Sequence, residues 1–344
     1  AQPRELRAAA ALARAYVDFG RSIGDARYAG YAEAVIAPWM ALRDPPPAAL
    51  VLQATIVQFR HRFDEARALL TRALRRDPRD AQAWLVLASI DILQGRFDAA
   101  RRDCERVARY GGPAAGIPCM ASLHSNTGRA REAIVMLRAL DVDGAGVAPS
   151  YAAWIHGLAA EAHARLGEWL DAERGYRRAL AATPGDNYLL VAYADLLLDR
   201  GRAREVGALL ANAWQSDTAF LRIVLAEAAL GSAEATRDTW IMAARFDALA
   251  LRGDDYFGRE NARFALALQR DPQEALALAL QNFRVQRAPE DARLVLEAAS
   301  AAGRPDDAAQ ALAFVAQARM QDPAIEALAA ALRARIDAVH EARR

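Results

Sequence analysis

Apolar side chains recur along this chain at helical spacing, in blocks separated by polar turns. In residues 47–80, Leu50, Ala54 and Val57 form one stripe and Ala66, Leu70 and Ala73 a second, on either side of His61-Arg62. Two antiparallel amphipathic helices are predicted, roughly Ala48 to Phe59 and Phe63 to Arg75. Asp77-Pro78 stops the second, because proline cannot continue a helix. Asp80 is placed to cap the next helix. The same layout returns when the count starts at Pro47, Ala81, Ala153 or Asn187, a 34-residue step from Pro47 to Ala81 and from Ala153 to Asn187. Offset 15 reads His61, Gly95, Gly167, Gly201; offset 20 reads Ala66, Ala100, Ala172, Val206; offset 27 reads Ala73, Val107, Ala179, Ala213. A fixed period of this kind implies stacked helix pairs that each pack on their neighbours. Small residues at offsets 8 and 20 let the paired helices cross closely. Trp84 at offset 4, and Phe63, Phe97 and Trp169 at offset 17, fill the wider gaps.

This pattern resembles the tetratricopeptide repeat (TPR) family. The helix-two signature of that family is met by Gly95, Phe97, Ala100 and by Gly167, Trp169, Ala172, and its proline by Pro78 and Pro184. The helix-one signature is looser, with Trp84, Leu87, Ala88 and Asp91 in the best copy. The resemblance implies an all-α fold, a right-handed superhelix of roughly eight helix pairs with a C-terminal capping helix. An N-terminal helix pair fills 1–46, with a lengthened turn at Arg21-Ser22-Ile23-Gly24-Asp25 and the triple proline Pro45-Pro46-Pro47 behind it. Repeats follow over 47–217, as units 47–80, 81–114, 114–147, 153–186 and 187–217. The third is degenerate and ends in an exposed loop, Asp143-Gly144-Ala145-Gly146. Residues 218–344 form divergent helical repeats: helices near 219–230 and 233–251, a turn at Gly253-Asp254-Asp255, a pair near 256–270 and 273–287, and a polar capping helix from about Ala324.

Composition narrows the chemistry. Much of the 54% hydrophobic content is alanine, the best helix former, and β-branched residues are too sparse for a large sheet. All 44 basic residues are arginine. Without lysine there is no P-loop, no Schiff base and no kinase strand lysine. A net charge of +1 leaves no nucleic-acid footprint, and no charge-free apolar run is long enough to span a membrane. The start Ala1-Gln2-Pro3, without methionine, fits a mature end left by signal-peptide removal or a trimmed chain; a periplasmic or otherwise exported protein is the expectation. Cys104 and Cys119 lie about equally far from the turn Gly111-Gly112-Pro113, in helices that should run antiparallel. They are either a disulfide, which suits an oxidising compartment, or two small buried hydrophobes.

No catalytic motif emerges, and the acidic residues are scattered over solvated faces, so no enzyme and no cofactor are expected. His156 and His163 share a helix face, and His124 holds the offset of His163 one unit earlier. Two turns, about 10 Å, separate i and i+7, which is long for one metal ion, so these read as core histidines and no metal is expected. Arg252-Gly253-Asp254 matches an adhesion tripeptide but reads as a turn.

In the TPR family, offsets 2, 5, 9 and 12 of helix one line a concave groove that holds peptides or partner helices. Carried over by position, with neighbouring residues, this groove includes Gln58, Gln82, Ser89, Asn126, Trp154, Glu161, Arg165, Tyr188, Asp195 and Asp199. It is hydroxyl-rich early and aromatic and acidic late. Trp154 and Tyr188 are then either binding hot spots or packing against the preceding unit. The resemblance implies a non-catalytic scaffold binding a peptide or helix of another protein, in a bacterial envelope assembly by analogy with exported TPR proteins of Gram-negative bacteria. The alternative is a glycan or small-molecule binder using the same groove.

Overall fold

The computed structural model describes residues 3–25, 27–144, 146–252 and 258–342. Among these, nineteen α-helices stack as nine antiparallel pairs and a final helix. The pairs are α1 (Pro3–Ile23) with α2 (Arg27–Met40), α3 (Pro47–Phe59) with α4 (Phe63–Arg76), and α5 (Ala81–Leu93) with α6 (Phe97–Gly111). Next come α7 (Pro113–Ser125) with α8 (Ala130–Arg138), α9 (Pro149–Arg165) with α10 (Trp169–Ala182), and α11 (Asn187–Asp199) with α12 (Ala203–Leu209). The last are α13 (Asp217–Leu230) with α14 (Ala235–Leu251), α15 (Gly258–Phe264) with α16 (Pro272–Val285), and α17 (Pro289–Ala301) with α18 (Ala309–Ala318). Helix α19 (Pro323–Ala342) closes the stack. The Gly253-Asp254-Asp255 turn, most of the Arg252-Gly253-Asp254 tripeptide, Ala145 and the first two residues lie outside the described residues.

The local causes are those the pattern implies. Asp80 and Asp186 cap α5 and α11, accepting from the N–H of Ala83 and Leu189. Alanines 66, 88, 100, 160, 172 and 194 are fully buried at the crossings. One place differs: Arg21 to Ile23 are helical, so the first turn is shorter than its polar sequence implies. Beyond α13 the period slips as expected, with α14 running for 17 residues, and a π-helical turn, Ala265–Gln269, extends α15. Helix α14 leaves Trp240 and Leu251 largely exposed. Cys104 of α6 and Cys119 of α7 are joined by a disulfide, Cα atoms 5.5 Å apart.

The superhelix is wound tightly enough to touch itself. The α1–α2 turn at Gly24 meets Asn187 and Ser216, at the starts of α11 and α13. Further along, the Arg287 N–H, in the α16–α17 link, donates to the Leu93 carbonyl at 2.6 Å. Phe314 of α18 stacks on Phe97 with ring centres 5.8 Å apart. The Ala130 N–H donates to the Gln321 side chain at 3.1 Å. Successive helix-pair turns of the first half thus rest on α16–α19. The molecule is still no ball: it exposes 17134 Å², against roughly 14,000 Å² for an average globular chain of its mass.

Two glycines show how close this approach is. Gly95 and Gly128 both sit at left-handed φ, +72°. A Cβ on Gly95 would lie 2.6 Å from the Phe314 ring, and one on Gly128 would run into the Arg319 carbonyl oxygen.

Gly128→Ala should cost at least about 2 kcal/mol in denaturant unfolding, the left-handed penalty plus the lost contact with Arg319. Gly201→Ala, with a similar φ of +68° and nothing near the new methyl, should cost only about 1 kcal/mol. Replacing Cys104 and Cys119 together by alanine should lower stability by about 3 kcal/mol, the loop-entropy value for a closed loop of this size, given a sequence separation of 15.

Candidate functional site

Most of the residues assigned to the groove meet the chain itself. Gln58 donates to Ser89 at 3.0 Å, linking α3 to α5. Gln82 is exposed, and Asn126 ends α7 by donating to the Ser122 carbonyl at 2.8 Å. Arg165 is buried and pairs with Glu290 of α17 at 3.2 Å. Asp195 accepts from two arginines, Arg222 of α13 at 2.8 Å and Arg263 of α15 at 2.6 Å. Asp199 is gripped by both Nη atoms of Arg293 of α17, at 2.5 and 2.8 Å. Arg165 and Asp195 are therefore not an open partner surface, and Asp199, itself exposed, is already paired. The superhelix returns on itself within a few units, and α15 and α17 lie along the curve that those residues line.

The electrostatics fit that closure. Arg222, 2% exposed, lies between Asp195 and Glu260. Arg259 makes two parallel hydrogen bonds to Asp291, at 2.6 and 2.9 Å. A charge taken out of water must be paired and hydrogen-bonded, and the planar guanidinium does both at once with a carboxylate. Burial works against the charge on Asp195, yet Arg222 and Arg263 hold its carboxyl down to about 2.

One stretch of the inner face stays open. Between α9 and α11 lies a cleft of about 260 Å³ lined by Ser150, Ala153, Trp154, Gly157, Leu158, Glu161, Thr183, Asp186, Tyr188 and Leu189. Trp154 is half-buried, edge-on to Tyr151 at 6.1 Å. Tyr188 is 63% exposed. Its hydroxyl turns in to donate to Glu161 Oε1 at 2.5 Å. The charge of Glu161, with burial, pushes the Tyr188 phenol well above its usual value, so it stays a donor. Burial raises the Glu161 carboxyl. Gly157 gives the cleft its depth: a Cβ there would stand 2.8 Å from Leu189 Cδ2. Ser150 escapes the offset reading because α9 begins before the 153–186 unit, and Thr183 and Asp186 because they lie in the α10–α11 link, beyond the helix-one stripe.

The histidines do not converge. His156 contacts Asp143 at 3.2 Å and His124 contacts Arg129 at 3.2 Å. His163 does approach Glu168, at 2.6 Å, with Asp171 close by. Arg131 and Arg174 already pair with those two carboxylates, placing positive charge where an ion would sit. A second hollow, about 380 Å³ and lined by His124, Arg129, Arg131, Glu132, Val135 and Met136, is shallow and open. No described helix is long and apolar enough to cross a membrane.

Residues 51–115 match the sequence model of the tetratricopeptide repeat. No curated protein sequence matches the chain. Among solved structures, the chain is similar to one in the APC/C hetero-tetramer Cut9–Hcn1, at 12% identity and TM-score 0.52, covering 87% of this chain and 58% of that one. It is also similar to human IFIT1, from a dimer with PPP-AAAA, at 13% identity and TM-score 0.51, covering 83% and 67%. A weaker match, at 20% identity and TM-score 0.45, covers 58% of this chain and 94% of PilW, described as a type IV pilus biogenesis factor. At these identities the likeness concerns the fold, an all-α TPR solenoid.

The paired Asp195 makes a prediction of definite sign. Its folded pKa lies below the unfolded value near 3.8, so its contribution is complete above pH 3.8 and is lost as pH falls towards 2. Denaturant unfolding between pH 5 and 2 should show stability falling more steeply in the native chain than in Asp195→Asn, which should also be less stable at pH 7 because two arginines lose their partner.

Proposed function

We propose that this chain is a non-catalytic protein-interaction scaffold that takes a partner polypeptide at the α9–α11 cleft. TPR solenoids are generally scaffolds of this kind, and the fold carries that much. The supporting observation is the cleft itself. Where the rest of the inner late face is paired with the chain's own arginines and carboxylates, Trp154 and Tyr188 leave ring surface in an open hollow. Aromatic side chains in such a position are frequent binding anchors. An extended segment or a whole helix lying along the full groove would meet α15 and α17 at Arg165, Asp195 and Asp199. The ligand is therefore read as a local protrusion of a partner. Export to an oxidising compartment such as the periplasm, with a role in an envelope assembly, remains part of the proposal; its support is the Cys104–Cys119 disulfide.

A photo-crosslinking amino acid placed at Tyr188 in cells should give discrete adducts with other proteins. The same group at Leu170, 72% exposed on α10, should give none. Equal adducts at both positions, or none at Tyr188, would contradict the proposal.

A further inference from the structure

We infer that the α9–α11 cleft receives a basic side chain, arginine or lysine, projected end-on from a partner segment. This rests on reading the cleft as the interaction site. Size comes first. At about 260 Å³ the cleft cannot seat a helix, which is about 10–12 Å across. It is also smaller than the roughly 300–1,000 Å³ of most small-molecule sites. It suits one long side chain.

Charge decides which. The charged residues among those lining the cleft are Glu161 and Asp186, both acidic. Arg165 lies behind Glu161, but Glu290 pairs with it at 3.2 Å, so the surroundings stay net negative. Tyr188 spends its hydroxyl on Glu161 Oε1; a carboxylate accepts at two oxygens, and an incoming N–H donor can use the second. The lining includes the aromatic side chains Trp154 and Tyr188, and a cation set over a ring face gains further attraction. An alkyl stem would lie along Ala153, Leu158 and Leu189 while its charged head reached Glu161. An acidic side chain would add a third negative charge beside Glu161 and Asp186, and a neutral donor could hydrogen-bond the carboxylate but would leave its charge unmatched.

The test uses the full chain and two capped synthetic peptides, acetyl-Ala-Arg-Ala-amide and its citrulline counterpart, which keeps the shape and removes the charge. Binding is followed by calorimetry and by the indole signal of Trp154. The arginine peptide should bind at least tenfold more tightly than the citrulline one. Glu161→Gln should abolish that difference. Gly157→Leu, which fills the floor without changing charge, should abolish binding of both, with circular dichroism showing the helices intact in each variant. Equal affinity for the two peptides, or Glu161→Gln binding arginine as well as the native chain does, overturns the inference. So does preferential binding of an oligosaccharide. If crosslinks at Tyr188 persist while arginine is not preferred, only the cationic occupant falls; if both fail, the cleft is not the site.

Discussion

A charge can leave water inside a protein only if an opposite charge, held in good geometry, is waiting for it. That constraint shapes this molecule. The inner face of its helix stack carries Arg165, Asp195 and Asp199, and the tight winding brings α13, α15 and α17 against them. Glu290, Arg222, Arg263 and Arg293 are the answering charges. For Arg222, 2% exposed, losing its partners would leave a buried charge uncompensated, a cost of about 3–5 kcal/mol in comparable pairs; the more exposed Asp199–Arg293 pair contributes far less. The pairing therefore selects the closed winding over looser ones, while apolar contacts such as Phe97 with Phe314 supply the bulk attraction.

Using arginine alone as the cation suits this arrangement. Asp195 receives guanidinium groups from two helices, and Asp199 and Asp291 are each gripped by a forked pair of N–H donors. A lysine ammonium is a point charge on a flexible stem and offers no such planar match. Close approach of backbone is the other requirement. Gly95 and Gly128 serve it by ending a helix in a left-handed turn and by leaving room for α18 and the residues after it.

The stack itself was legible in the sequence because its causes are local. Stripe spacing, Asp80 as a cap, and alanines at the crossings act within one unit or between neighbours. Offset arithmetic also says which side chains face inward, including Trp154, Glu161 and Tyr188. It is silent about what they meet. Arg293 lies 94 residues from Asp199, and Glu290 lies 125 from Arg165; no periodicity links them, since those contacts depend on how far the whole stack curves. The slip after α13 was legible as a long helix near 233–251, close to α14; the π-helical turn Ala265–Gln269 was not, because it follows from packing. The late part of the expected open groove was thus closed by its own chain, apart from the short α9–α11 cleft, completed by Ser150 of the first turn of α9 and by Thr183 and Asp186 of the α10–α11 link.

The most direct test of closure needs no mutation. Arg287 lies in the link between α16 and α17, where its amide has no carbonyl of its own helix ladder to bond; it donates instead across the winding to Leu93. Native-state hydrogen exchange of that amide reports whether the two halves stay joined. The closed winding predicts slow exchange, at the rate set by large-scale opening of the stack. Exchange as fast as an unprotected loop amide, with α17 still protected, would show that the curve stands open and that the charge pairing across it does not hold the molecule shut.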